Sequence, residues 1–171
     1  GGDGMIHAFH INDGKVSYLN RWMKTVKWKK EHEEQKALWS SGMDVMNNDP
    51  SVSNIETDGL ANTAIVSHAG KIFALEEAHA PFEFDEMTLE SKGSHTFDNK
   101  LQGPVTAHPK VDPITGELLF FGYMADGFFT DTIRYTAVSK EGKITKSELI
   151  KAPFPSMVHD FFATQKYIVF P

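Results

Sequence analysis

Two of the eight histidines stand where an imidazole could do chemistry. His108 closes the run "GPVTAH" and precedes Pro109, and His159 closes "PSMVH" and precedes Asp160. Each follows a short apolar stretch and is followed by a residue type that ends or bends a strand, so each ring can be aimed from a strand end toward a common axis. Neutral imidazole ligates iron, zinc, copper or nickel, and the residue type alone does not choose among them. The two are 51 residues apart and form no compact motif. Even a catalytic zinc takes three protein ligands, so the pair by itself completes no site, and a purely structural strand-end role stays open. His7 and His10, three apart on one strand, turn to opposite faces and cannot share an ion. His32 falls in a charged helix, His68 in a hairpin turn, and His79 and His95 in polar connections, where structural or surface roles are expected. The sequence holds no cysteine, which excludes thiolate ligands, disulfides and cysteine nucleophiles.

The elements that must position these histidines are mostly strands. A hairpin signature of glycine, charged residue and aliphatic residue recurs as "NDGKV", "HAGKI", "ITGEL" and "KEGKI", centred on Gly14, Gly70, Gly116 and Gly142. Glycine supplies the positive φ of a tight turn, and β-branched or aromatic residues alternate on either side. The uneven spacing rules out a short regular repeat but suits β-propeller blades of about 40–50 residues with variable loops. A β-sandwich is the competing architecture. One helix is expected over residues 27–39, "KWKKEHEEQKALW", with Trp28, Gln35 and Trp39 sharing a face and the charges solvated. Residues 40–59 are polar, contain Pro50 and Gly59, and read as a long loop.

With 40% hydrophobic and 23% charged residues the chain has the composition of a globular domain. Net charge is −6, and the basic "KTVKWKK" runs straight into the acidic "EHEE", so nucleic acid is not an expected partner. No run approaches the ~20 apolar residues that span a bilayer, and no signal-peptide pattern opens the chain. A cytoplasmic location is expected, with membrane association left open. In "DGFFTD", core burial of Phe128 and Phe129 is expected ahead of membrane contact. "GGDGM" at one end and "KYIVFP" at the other read as cuts in a longer polypeptide.

In order along the chain, "GDGMIHAF", "VSYLNRWMKT", "DPSV", "LANTAIVSHAGKIFALEEA", "DEMTLES", "TAHPKVDPITGELLFFGY" and "APFPSMVHDFFATQKYIVFP" resemble the carotenoid cleavage oxygenase family. That family includes the lignostilbene dioxygenases and the retinal pigment epithelium isomerase. The resemblance covers nearly all of residues 1–171 and implies an all-β fold, about three blades of a seven-bladed β-propeller with one helical insertion. It also implies a non-haem Fe(II) held on the central axis by four histidines. "TAHPK" and "MVHDF" match the segments giving two of these, His108 and His159. Two further histidines are expected from later blades. The resemblance places Glu77 of "ALEEA" as the carboxylate that orients a ligating imidazole through its free N–H, which fixes tautomer and ring direction. Glu76 is the alternative on residue type alone. Thr63 of "ANT" falls beside the open coordination position, its methyl restricting access and its hydroxyl bonded to the backbone.

The implied reaction is cleavage of a conjugated carbon–carbon double bond by O2 into two carbonyl products, with the apolar substrate, a polyene or aryl-alkene, held near the iron. In the lignostilbene branch a lysine precedes the orienting glutamate and contacts the substrate phenol. Here that position is Glu76, which cannot serve as a cationic partner and is therefore a substrate-determining candidate. On this ground a carotenoid or apocarotenoid is the first expectation and a stilbene or phenylpropenoid the second. A non-catalytic propeller fragment that only binds an apolar ligand or a partner is the reading from a different class.

Overall fold

The computed structural model describes residues 2–40 and 47–171. The part of the expected 40–59 loop that falls in 41–46 lies outside the described residues. Two four-stranded antiparallel meanders dominate. The first runs β3 (Ala64–His68), β4 (Lys71–Leu75), β5 (Phe82–Phe84) and β6 (Ser91–Ser94). The second runs β7 (Lys110–Val111), β8 (Leu118–Tyr123), β9 (Thr132–Val138) and β10 (Ile144–Lys151). They are flanked by two-stranded hairpins, β1 (Met5–Asn12) with β2 (Lys15–Trp22) and β11 (Phe162–Ala163) with β12 (Ile168–Val169). Strands adjacent in sequence pair within each sheet, the connectivity of propeller blades, and the described residues are mostly β with one α-helix.

Each expected glycine turn is found between paired strands, as at β1–β2, where Asp13 and Gly14 take φ of 48° and 73°. Positive φ at both central residues gives the turn the twist of the flanking strands.

Three apolar clusters lie between the sheets. Ile6, Met23, Ala74, Phe82 and Phe84 join the first hairpin to the first meander. Phe97, Val105, Leu118, Phe120 and Val138 join the two meanders. Phe121, Ile133, Val158 and Phe161, with Ile168 and Phe170 against them, join the second meander to the last hairpin. The sequence of β8, "LLFFGY", explains the stacking. Leu118 and Phe120 face one cluster while Phe121, with Leu119 and Tyr123, faces the next, so the strand is apolar on both sides instead of alternating.

The helix is shorter than the sequence suggests. α1 spans Val26–Glu34, capped by the Thr25 hydroxyl accepting the Trp28 N–H at 3.1 Å. It ends because Gln35 turns left-handed at φ 51° and the Glu31 carboxylate accepts the N–H groups of Leu38 and Trp39 at 2.8 and 3.0 Å, folding residues 35–39 back over the last turn. Trp39 is therefore off the helix, and Trp28 stacks on His32 instead. Nor are all the charges solvated. Lys27 is buried, with its ammonium on Asp3 at 3.1 Å and Glu31 at 2.6 Å. Burial pushes its pKa down, but the two carboxylates outweigh that and raise it.

A further difference concerns one aromatic pair at the surface. Phe128 and Phe129, expected in the core, are 62% and 65% exposed and rest on each other. Phe9, Ile11, Val16 and Tyr18 of the first hairpin are also exposed.

Candidate metal centre

The site is assembled where the second meander meets the segments before β7 and β11. Residues 103–108 run beside β8, with the Thr106 N–H donating to the Phe121 carbonyl at 2.6 Å. The approach is close because Gly122 lies under Pro104: a Cβ there would stand 2.7 Å from the Pro104 ring carbon Cγ and 2.8 Å from its carbonyl carbon. Val105, Thr106 and Ala107 are buried, and His108 emerges as the first partly exposed residue after them. His159 is aimed by its neighbours in the same way, between the buried Val158 and Phe161. An ion pair ties the two segments together, Lys110 Nζ to Asp160 Oδ1 at 2.7 Å, and the Lys110 stem crosses the Phe161 ring with its ammonium 5.4 Å from the centroid. The Lys110 hydrogen bond holds the Asp160 carboxyl below its usual range.

The two histidines meet with Nε2 of His108 and Nε2 of His159 3.1 Å apart. Glu77, 82 positions before His159, accepts from His159 Nδ1 at 2.8 Å through Oε2. A carboxylate only accepts, so the proton of neutral His159 is on Nδ1 and the lone pair on Nε2 faces His108. The other Glu77 oxygen accepts the Tyr123 hydroxyl at 3.3 Å. Burial, and then the Glu77 charge, push the Tyr123 pKa up to about 12, so this phenol remains a donor.

The arrangement fits a metal ion. Two imidazole nitrogens about 2.1 Å from one ion and at right angles to each other lie about 3.0 Å apart, close to the observed 3.1 Å. The donor set is nitrogen only, with the carboxylate engaged behind a ring as the partner that sets ligand basicity. Among the described residues no three His, Asp or Glu side chains converge as a complete metal-binding group. The His159 side chain is 68% exposed, so the pair is open on the side away from Glu77.

The other expected site residues are placed differently. Thr63 lies at the end of β3 remote from the turn, its N–H bonded to the Leu75 carbonyl at 2.9 Å. Its hydroxyl donates to the Asn62 side chain at 3.0 Å, not to the backbone. Glu76 turns to His79, whose Nδ1 contacts Glu76 Oε1 and whose Nε2 lies 3.1 Å from the Thr57 hydroxyl. The Glu76 hydrogen bond raises the His79 pKa against the opposing effect of burial. His79 is more than a polar connection, because its carbonyl also accepts the Val105 N–H at 3.2 Å, on the irregular segment that delivers His108 from before β7 and not from a strand end. Tyr123, Lys110 and Asp160 escape a reading of the sequence. The signal for the last two is adjacency, a lysine two residues after one histidine and an aspartate next to the other. Tyr123 offers none.

The family profile described as Retinal pigment epithelial membrane protein matches residues 1–171. Isoeugenol monooxygenase of Pseudomonas nitroreducens is 40% identical over 171 residues, 99% of this chain and 36% of that protein. Lignostilbene-alpha,beta-dioxygenase isozyme III of Sphingomonas paucimobilis is 35% identical over 170 residues, 99% and 34% respectively. The crystal structure of Pseudomonas brassicacearum lignostilbene dioxygenase superposes with a TM-score of 0.92 at 38% identity, covering 99% of this chain and 35% of that one. The chain thus spans about a third of the length of these relatives.

Proposed function

Because the chain belongs to the retinal pigment epithelial membrane protein family, we propose that it is the part of a longer oxygenase that contributes two histidine ligands to an Fe(II) centre. The reaction is cleavage of a conjugated carbon–carbon double bond by O2 into two carbonyl products. The observation that carries this reading is the 3.1 Å approach of His108 Nε2 and His159 Nε2 with Glu77 behind His159.

His108 and His159 would hold the iron, and the remaining ligands would come from later blades. When bound, ferrous iron supplies O2 activation that no side chain here can provide. The protein's own contribution is positioning. Glu77 keeps the proton of His159 on Nδ1 and leaves Nε2 available. The Lys110–Asp160 pair holds the two histidine segments in register. By the family resemblance Thr63, at the same end of the first meander as Glu76 and Glu77, would border access to the site.

Two substrate classes are supported by different observations. Relatives named for isoeugenol and lignostilbene favour an aryl-alkene. Glu76, where the lignostilbene branch carries a lysine, favours a carotenoid or apocarotenoid, since a carboxylate bonded to His79 cannot itself pair with a phenolate. Phe128 and Phe129 form an apolar tip suited to peripheral membrane contact.

The test is anaerobic Fe(II) binding by the full-length polypeptide and by its His108→Ala and His159→Ala variants, followed by an O2-dependent panel of stilbenes, phenylpropenoids and carotenoids. Loss of stoichiometric iron in both variants, with carbonyl products from one panel class, is the expected result. Iron retained in both variants would overturn it.

A further inference from the structure

The orienting carboxylate is itself held. Glu77 follows β4, and neither of its oxygens is bonded by a neighbour in sequence: one takes His159 Nδ1–H at 2.8 Å and the other takes the Tyr123 hydroxyl at 3.3 Å. The two donors come from residues 82 and 46 positions away, on different elements. A glutamate has three side-chain torsions, and a single hydrogen bond to one oxygen would leave the carboxylate free to turn about it. A second donor on the opposite oxygen fixes its plane. Tyr123 suits this role because its ring is anchored. It is the last residue of β8, opposite Ile133 of β9, and packs against the cluster containing Phe121, Val158 and Phe161. That cluster also carries the residues bracketing His159, so a single apolar unit supports both ends of the Tyr123–Glu77–His159 chain.

We propose that Tyr123 is a positioning residue for the metal centre, locking Glu77 in the orientation that assigns the His159 proton to Nδ1 and frees Nε2 for the metal. This rests on the metal reading given above and adds to it a residue that touches neither ion nor substrate. It requires the hydroxyl and not the ring, since the packing of a phenylalanine at 123 would be the same.

The experiment uses the full-length polypeptide labelled with 15N-histidine, metal-free, with the His159 signals assigned by their disappearance in His159→Ala. In the parent, His159 is expected as the Nδ1–H tautomer. In Tyr123→Phe both tautomers become populated, while the thermal midpoint stays near that of the parent. Anaerobic Fe(II) titration should show about a tenfold weaker affinity in Tyr123→Phe, the low end for loss of a residue that supports a ligand. The same substitution added to Glu77→Gln should cost nothing further, since its partner is already altered. A parent-like His159 tautomer in Tyr123→Phe, or an equal loss of affinity with and without Glu77, would overturn the proposal. A parent polypeptide that takes up no Fe(II) overturns the metal reading instead, and the tautomer of the metal-free protein then decides the part played by Tyr123.

Discussion

Replacing Gly122 by alanine tests whether the route of residues 103–108 along β8 is what delivers His108. Gly122 is the penultimate residue of β8, paired with Arg134, and is not among the positive-φ glycines, so the cost of a side chain is steric and not conformational. The new methyl would stand 2.7 Å from Pro104 Cγ and 2.8 Å from the Pro104 carbonyl carbon, and closer still to its oxygen. Ordinary carbon contacts are about 3.5–4.0 Å, so residue 104 must retreat by roughly 1 Å. That movement strains or breaks the 2.6 Å bond from Thr106 N–H to the Phe121 carbonyl two residues later. Overpacking costs about 1–3 kcal/mol and a lost backbone hydrogen bond about 1 kcal/mol, giving an expected destabilisation of about 2–4 kcal/mol. The displacement also reaches His108 and should weaken Fe(II) binding. Urea denaturation and anaerobic iron titration of the full-length polypeptide read the two effects. Gly14→Ala is the comparison: nothing lies within 4 Å of its added Cβ, and only its φ of 73° is unfavourable. It should cost about 1 kcal/mol and leave iron binding alone. A Gly122→Ala protein within about 0.5 kcal/mol of the parent, the range of an ordinary surface substitution, with unchanged iron affinity would refute the reasoning.

Lys27→Met leaves Asp3 and Glu31 without their shared cation in a largely buried position. The expected loss is about 3 kcal/mol in urea, and a neutral or stabilising effect would mean the ion triad is more solvated than its geometry indicates. The Glu76–His79 pair predicts a pH dependence. Its raised histidine pKa stabilises the folded state fully below the unfolded value of about 6.5, and that stabilisation fades as pH rises through the higher folded value. The stability advantage of the parent over Glu76→Gln should therefore be larger at pH 6 than at pH 9, and a gap that is constant or widens toward alkaline pH argues against the pairing.

What the sequence exposes here is what local rules govern. Turns are written in adjacent residues, so Asp13–Gly14 and its counterparts mark the hairpins through residue type alone. The end of α1 is not so written, because it depends on Glu31 accepting from Leu38 and Trp39, and nothing in helix propensity distinguishes that from continuing the helix. The exposure of Phe128 and Phe129 is hidden for a related reason: an aromatic pair in a short loop looks the same whether a core or a surface receives it. At the candidate centre the division follows sequence distance. His108 and His159 stand out by the short apolar runs before them, although both sit on irregular segments leading into β7 and β11 and not at strand ends, and the family resemblance singles out Glu77, but the contact that gives Glu77 its meaning spans 82 residues and has no local signature. Tyr123 is more deeply concealed, since in "LLFFGY" it reads as one more apolar strand residue. Only the stacking of β8 between two clusters turns its face toward Glu77. The packing that makes β8 a core strand on both sides is therefore also what carries a hydroxyl to the back of the candidate centre. The same strand brings Gly122 under Pro104 and so sets the approach of His108. Both histidines are thereby positioned from one strand, through its backbone for His108 and through the Tyr123 side chain for His159.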